Sequence, residues 1–410
     1  MNRRSILKLL PVGVLPGCLG RSGRGDDSIS NAETESIPST ETESDPRRID
    51  AGLFDEFEKL SKWSTSGGPV TADTERSVSG SQSVHLHARK SDDHVTLSRT
   101  FDPPIDISGL GVQLAIQADN DIIPYVMAFD SDGNRIDYRA PVRGGLSFQL
   151  FDFGIATVHG DPDLSSVEEI RFRVWAGDEK EVRIWCDQLR FSERPDTGIV
   201  LIQFDDGFLT DYTKAFPVLE EHGFTASTFI NPYLIGTEGR LSLEDLSELQ
   251  GADWDICNHT LHHNNLINLS EDEQEEQIVG AKEWLVDHGF EKGSEYFTYP
   301  FSSYDRTTLD IVNQHHEAGF AGGYPGYGKV VNPYLIQRIG ADAETVTREI
   351  DIAAEMNGVT TLMYHELSNE DPEKTSVSDF ESTISYLKDH ESDGDLTVLS
   401  VSEFTSRYLD

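Results

Sequence analysis

The sequence predicts two folded parts of different class, an all-β sandwich followed by an α/β unit built on a parallel sheet. Residues 49–193 alternate apolar and polar side chains with a period of two, and turns rich in Gly and Asp separate the alternating segments. From residue 198 onward, apolar strands alternate with helical runs, which is typical of a parallel sheet covered by helices, open or closed into a barrel. At 410 residues the chain is long enough for two cores.

The composition is strongly acidic and limits the classes of partner. Asp and Glu number 73 against 33 Lys and Arg, which gives a net charge of -40. A chain with this charge repels polyanions, so we predict that it does not bind nucleic acid. We interpret the acidic surplus as adaptation to high salt, where ions screen the repulsion between surface charges. An unfolding midpoint that is equal at low and high salt concentration would contradict this interpretation.

The N-terminus carries a predicted targeting segment at residues 1–20. An arginine pair precedes a short apolar stretch, which resembles a twin-arginine export signal, and the LPGC sequence that ends at Cys18 resembles a lipobox. We therefore expect an exported protein that is held at the membrane through lipidated Cys18, with a plain signal peptide or a short uncleaved anchor as the alternative. Residues 21–48 are mostly polar and acidic, and they predict a disordered tether.

The first half contains a series of predicted strands, at 83–88, 95–101, 112–116, 125–129, 170–175 and 182–191. Residues 130–134 predict a hairpin turn, and we interpret Asp130 and Asp132 as part of that turn rather than as a calcium loop. His85 and His87 lie opposite the apolar side chains of their strand. We interpret them as the solvated face of a sheet rather than as metal ligands.

Trp175 and Trp185 alternate with Arg residues on the last two of these strands. If the two strands pair as a hairpin, both tryptophans would lie on one sheet face where sugar rings could stack, although domain packing uses the same residue types. Residues 57–86, with Trp63, resemble jelly-roll carbohydrate-binding modules. That resemblance implies that residues 49–193 form a jelly-roll sandwich that could bind carbohydrate.

The second half begins with a strand that ends in two carboxylates. Residues 199–204 are mostly apolar and lead directly into Asp205, Asp206 and a glycine. Adjacent carboxylates at the end of a buried strand are costly unless a metal ion or proton chemistry uses them. Further along the chain, His259 and His263 are four residues apart, so one helical turn or a tight loop can direct both toward one ion. An Asp with two His leaves coordination positions open for water and substrate.

The FDDG strand end and the HTLHH segment resemble the first two motifs of the polysaccharide deacetylase family, which is carbohydrate esterase family four or the NodB-homology domain. The resemblance covers roughly residues 198–410 and implies an irregular (β/α) barrel of seven or eight strands. It also implies that Asp206, His259 and His263 bind one divalent metal ion and that Asp205 is the general base. The two imidazoles favour zinc, with cobalt or nickel as alternatives. His262 is one residue out of register with these two histidine ligands, so its side chain is expected to point away from the metal ion.

The third motif departs from the family pattern. Thr298 stands where the family often has an arginine, and Tyr299, Pro300 and Phe301 follow it. We expect these three residues to shape the substrate groove, and the Phe301 N–H to stabilise a tetrahedral oxyanion. Arg338, at a predicted strand end, is the candidate that supplies the missing charge to the base. Its alternative is an ordinary surface ion pair.

The last motif is a predicted strand that ends in His365, where the family carries a histidine that protonates the leaving group. The alternative for His365 is a structural role as a core histidine whose hydrogen bonds are satisfied. Taken together, the motifs predict metal-dependent deacetylation of an acetylated, preferably N-acetylated, polysaccharide at or outside the cell surface. An O-acetyl esterase and an inactive glycan-binding protein are the competing hypotheses. The sugar, its linkage and the oligomeric state stay open.

Overall fold

The computed structural model describes residues 47–176, 181–341, 345–371 and 373–409. The predicted export signal, Cys18 and nearly all of the predicted tether lie outside these residues. Within the described ranges, no helix is both long enough and apolar enough to cross a membrane.

The first half of the described chain is built from antiparallel strands, as the alternating pattern predicts. Its strands are β1 (Gly52–Asp55), β2 (Ser64–Gly67), β3 (Val70–Asp73), β4 (Ser83–Ala88), β5 (His94–Ile105), β6 (Leu110–Ala118), β7 (Tyr125–Asp130), β8 (Arg135–Arg139), β9 (Gln149–His159), β10 (Val167–Trp175) and β11 (Val182–Glu193). They form one 11-stranded sheet in the order β2-β5-β10-β7-β8-β9-β6-β11-β4-β3, with β1 paired to β11. The inward side chains of this sheet form a shared apolar core.

The turn between β7 and β8 confirms the hairpin predicted at 130–134. Phe129 pairs with Arg135 across the turn. The Asp130 carboxylate accepts backbone N–H bonds from Asp132, Asn134 and Asp163. Because N–H donors use its oxygens, this carboxylate closes a turn.

The last two strands of this half do not pair with each other as a hairpin. β10 pairs with β5 and β7, whereas β11 pairs with β1, β4 and β6. Alternation shows which side chains share a face of one strand, but it does not identify the neighbouring strand. The resemblance to a jelly roll is not confirmed, and what is observed is a large antiparallel sheet.

Only one of the two candidate sugar-stacking tryptophans faces solvent. Trp175 is 61% exposed, whereas Trp185 is 3% exposed. The Trp185 indole donates to Asp73 Oδ2 at 2.7 Å, and the Arg76 guanidinium lies 4.0 Å above its ring. Trp185 is therefore a packing residue, and its predicted contact with sugar is corrected.

The second half alternates strands and helices. The strands are β12 (Gly198–Asp205), β13 (Ser227–Ile230), β14 (Asp255–Asn258), β15 (Tyr296–Thr298), β16 (Ala318–Gly322), β17 (Ile336–Gly340), β18 (Val359–Tyr364) and β19 (Leu396–Leu399). The helices are α1 (Phe216–His222), α2 (Leu243–Gly251), α3 (Glu271–Asp287), α4 (Arg306–His315), α5 (Val346–Met356), α6 (Val377–Asp393) and α7 (Val401–Tyr408), with a π-helical segment at Asp211–Ala215.

These strands are parallel and close into a barrel. β12 pairs with both β13 and β18, so β12 to β18 form a ring of seven strands, and β19 flanks β12. The predicted parallel barrel is confirmed. Because all strands run in the same direction, the residues that follow β12, β14, β15 and β18 lie at one mouth of the barrel.

The sheet is bonded directly to the barrel. The Ile155 N–H on β9 donates to the carbonyl of Pro325 at 2.7 Å, and the Gly154 backbone approaches Tyr324 so closely that a Cβ would lie 2.4 Å from its carbonyl oxygen. Gln337 on β17 is 5% exposed and donates to the Asp152 carbonyl while accepting the Tyr324 N–H. These bonds fix the strand that carries Arg338 against the sheet.

The segment that joins the two halves is bonded to both of them. The Arg194 guanidinium donates to the carbonyls of Leu110, Gly326 and Met356 at 3.0, 2.8 and 3.1 Å. The described residues of both halves belong to one compact unit. The sheet is therefore part of the same folded body as the barrel.

Candidate metal and catalytic site

The two carboxylates at the end of β12 are separated by a backbone turn. Asp205 is the last residue of β12 and is 2% exposed. Asp206 and Gly207 both adopt left-handed backbone conformations, with φ of 72° and 61°. This conformation is unusual for a non-glycine residue. Arg240 supports the turn by donating to the Asp206 carbonyl at 2.7 Å.

Arg338 binds Asp205 in a bidentate ion pair. Its two terminal nitrogens lie 2.8 and 2.7 Å from the carboxylate oxygens, and both side chains are 2–3% exposed. Burial raises the pKa of Asp205, but the charges of Arg338 and His259 outweigh burial and lower this pKa to about 2. Asp205 is therefore ionised at neutral pH. The burial of Arg338 excludes the alternative of an ordinary surface ion pair.

The histidine loop after β14 is held by amide and hydroxyl side chains. Asn258 accepts the Thr260 N–H at 2.9 Å, and Asn231 donates to the carbonyls of His259 and Thr260. Thr260 and His263 have φ of 68° and 58°. The two histidines therefore converge through a tight loop and not through a helical turn.

Asp206, His259 and His263 form a set of three metal-ligand side chains. Their ligand atoms all lie within 4.8 Å of one another. Asp206 Oδ1 is 3.7 Å from Nε2 of His259 and 3.5 Å from Nε2 of His263. This oxygen is buried and has no hydrogen-bond partner among the described residues. A buried carboxylate oxygen left unpaired between two ring nitrogens fits a divalent cation.

Thr298 orients one of these ligands. Nδ1 of His259 lies 2.6 Å from the Thr298 hydroxyl oxygen and 3.0 Å from the Thr298 carbonyl oxygen. A proton on Nδ1 is donated to Thr298, which leaves the Nε2 lone pair free toward Asp206. Burial lowers the pKa of His259, although Asp205 and Asp206 act in the opposite direction. Thr298 thus contacts a candidate ligand, a role that its position in place of the family arginine does not predict.

The three residues after Thr298 do not all face the substrate. Tyr299 is 0% exposed, its hydroxyl donates to the Tyr334 carbonyl at 2.8 Å, and Pro300 is also buried. Tyr299 and Pro300 therefore do not line the substrate groove directly, which corrects the prediction made for them. Phe301 is 63% exposed, and its ring centroid lies 4.6 Å from that of His263. Phe301 borders the candidate metal set directly.

The remaining two histidines lie in different surroundings. His365 follows β18 at the same barrel mouth and is exposed, which excludes the alternative of a core histidine. It lies close enough to Asp205 for its charge to contribute to the low pKa of that carboxylate. His262 stacks on Tyr233 with ring centroids 3.9 Å apart and does not belong to the metal set.

Several residues that build the site were not identified from the sequence. Asn231 and Arg240 are two of them, and Asp211 is a third. Asp211 is 0% exposed and accepts a hydrogen bond from Thr228 at 2.9 Å, and burial raises its pKa well above the usual range. The only available signal was an Asp placed soon after the strand end, which is too common to be specific.

Comparison with known proteins agrees with this arrangement. The model of the polysaccharide deacetylase family matches residues 192–318. The predicted family resemblance is confirmed for this segment. The match includes the two carboxylates and the two candidate histidine ligands. Arg338 and His365 lie beyond it, so the family match does not test their assignment.

One curated relative and two solved structures illustrate the similarity to polysaccharide deacetylases. YxkH of Bacillus subtilis (strain 168), which carries a provisional polysaccharide deacetylase name, is 32% identical over 122 residues that cover 30% of this chain and 43% of the relative. A variant of the peptidoglycan deacetylase PdaC from Bacillus subtilis is 14% identical with a TM-score of 0.38, covering 52% of this chain and 92% of that chain. A CE4-family pseudoenzyme from Bacillus anthracis is 16% identical with a TM-score of 0.37, covering 53% of this chain and 66% of that chain.

Proposed function

We propose that this protein is a metal-dependent hydrolase that removes acetyl groups from an acetylated polysaccharide, with N-acetyl groups preferred. The unpaired Asp206 oxygen between His259 and His263 is the observation that carries this proposal. Beside it stands an ionised carboxylate, Asp205, aligned by a buried arginine. A protein that only binds glycans needs neither the ligand set nor this carboxylate.

The three ligand side chains would hold one divalent ion, for which two imidazoles favour zinc and also admit cobalt or nickel. A bound ion of this kind polarises a carbonyl group and lowers the pKa of water. A carboxylate with a pKa of about 2 is a weak base toward ordinary water, so we expect the reaction at Asp205 to require the ion.

The other side chains divide the proton transfers. Asp205 accepts the proton of the attacking water, and Arg338 acts as a positioning residue that keeps this carboxylate ionised and aligned. The Phe301 N–H is proposed to stabilise the oxyanion of the tetrahedral intermediate. His365 donates a proton to the leaving amine, so that acetate and a free amino sugar are the products.

Acetate release from a panel of N-acetylated and O-acetylated oligosaccharides tests the proposal, with zinc, cobalt or nickel added separately. Release from the N-acetylated members supports a deacetylase. Release from the O-acetylated members alone would assign the same site to an esterase. Retained glycan binding without any acetate release would contradict an enzymatic function and favour the glycan-binding alternative.

We also propose that the protein is exported and anchored through lipidated Cys18, as residues 1–20 suggest. Cys18→Ser should move the protein from the membrane fraction to the soluble extracytoplasmic fraction, or block its maturation. Ser5→Ala, a change in the same segment outside the lipobox, serves as the control. Unchanged membrane association of the cysteine variant would contradict lipid anchoring.

A further inference from the structure

A cavity of about 330 Å³ lies at the junction between the sheet and the barrel. Its walls include Asp121 and Arg143 from the sheet, and Ile267, Tyr304 and Arg306 from the barrel. The volume is at the lower end of the range of roughly 300–1,000 Å³ that is usual for small-ligand sites. Both parts of the protein therefore contribute to one candidate binding site.

The barrel wall of the cavity continues from the two loops that border the metal set. Ile267 follows His263 by four residues, which span at most about 14 Å of chain. Tyr304 follows Phe301 by three residues, which span at most about 11 Å. Ile267 is 44% exposed and Phe301 is 63% exposed, so apolar surface is accessible both at the cavity and beside the metal set. A chain molecule that is bound at the metal set can reach the cavity within a few sugar units.

The sheet wall is fixed to the same loop by Arg143. Its guanidinium donates to Asp121 Oδ2 at 2.6 Å and to the Ser302 carbonyl at 2.7 Å, and it lies 5.7 Å from the Tyr304 ring. The Gly144 N–H donates to Asp121 Oδ1 at 2.9 Å. The side chain of Asp121 is 62% exposed and that of Arg143 is 31% exposed. Both therefore keep polar surface accessible at the cavity.

The lining suits an uncharged sugar. Two carboxylates, of Asp121 and Asp305, and two guanidinium groups offer hydrogen-bond acceptors and donors to hydroxyl groups, while Ile267 offers an apolar contact for the C–H face of a ring. We propose that this cavity binds a sugar unit of the polysaccharide at some distance from the reacting acetyl group, so that the sheet takes part in substrate recognition. This inference rests on the proposed function.

Calorimetry with the zinc-loaded full chain tests this inference, using the hexamer and the dimer of β-1,4-linked N-acetylglucosamine as probes. The hexamer is expected to bind about tenfold more tightly than the dimer. Ile267→Ser and Arg306→Gln should each remove most of that difference. In steady-state assays on the hexamer, they should raise KM with little change in kcat.

Two matched controls lie outside the cavity. Leu243 is 43% exposed, close to the value for Ile267, and Arg407 forms an i,i+4 ion pair as Arg306 does. Leu243→Ser and Arg407→Gln should keep the preference for the hexamer. Equal binding of hexamer and dimer by the unmodified protein, or an unchanged preference in both cavity variants, would overturn the cavity proposal. Absence of acetate release with an intact, cavity-dependent preference would instead overturn the proposed function alone.

Discussion

Replacement of Asp205 by Asn is expected to lower acetate release by roughly 10²–10⁴-fold, the usual cost of losing a general base. Asn keeps the shape of the side chain but cannot accept the proton of the attacking water. Metal content should not change, because Asp205 does not belong to the ligand set. Acetate release and elemental analysis on the same preparation check both parts of this prediction.

The Asp205 variant also leaves a buried charge without its partner. Arg338 is 3% exposed, and removing one member of a buried ion pair typically destabilises a protein by about 3–5 kcal/mol. Arg338→Met should therefore destabilise the fold and lower turnover, since it removes the charge that keeps Asp205 ionised. The double variant removes both charges, and it should unfold at a higher denaturant concentration than additivity of the single variants predicts.

The double-mutant cycle separates an orienting role of Arg338 from a structural one. Once Asp205 is Asn, Arg338→Met should lower the rate of acetate release hardly at all, because no base remains to be oriented. Thr298→Val is the matched control, since Thr298 contacts His259 and not Asp205. It should weaken metal affinity by about tenfold, at the low end for a residue that orients a ligand. A full Arg338 effect in the Asn background would contradict the orienting role.

His263→Ala should lose the metal ion and with it nearly all acetate release, whereas His262→Ala should retain both. The two histidines are adjacent in the sequence and chemically identical, which makes each the control for the other. Nε2 of His263 lies 3.5 Å from Asp206 Oδ1, whereas the His262 ring stacks on Tyr233. Elemental analysis after dialysis decides the assignment. Equal metal content in the two variants would contradict it.

Much of the fold could be predicted from periodicity. The neighbour of each strand and the residues that cover each sheet face could not. The alternating pattern predicted β4 at its observed bounds, and the change of period marked the barrel. The same pattern placed Trp185 on an outward face. Asp73 and Arg76 cover that face, and they come from a different segment of the chain. Periodicity identifies the face on which a side chain lies, but it does not report what packs against that face.

The candidate ligands were predictable from residue type and spacing, whereas the loop geometry that aligns them was not. Among the described residues, ten non-glycine positions have positive φ, and Asp206, Thr260, His263, Phe301 and Ser302 are five of them. Local sequence preferences do not predict left-handed Thr, His or Phe, because tertiary contacts impose these conformations. The role of Thr298 depends on this geometry, since the histidine loop brings His259 Nδ1 to its hydroxyl.

The most direct test of the metal-dependent mechanism is acetate release from N-acetylglucosamine hexamer by full-length protein that has been stripped with a chelator and then reloaded with zinc. The stripped protein should release no acetate, and zinc should restore release in the unmodified chain. Zinc should not restore release in the Asp206→Ala variant, which lacks the carboxylate between the two imidazoles. Full activity in the stripped protein, or in reloaded Asp206→Ala, would contradict the account.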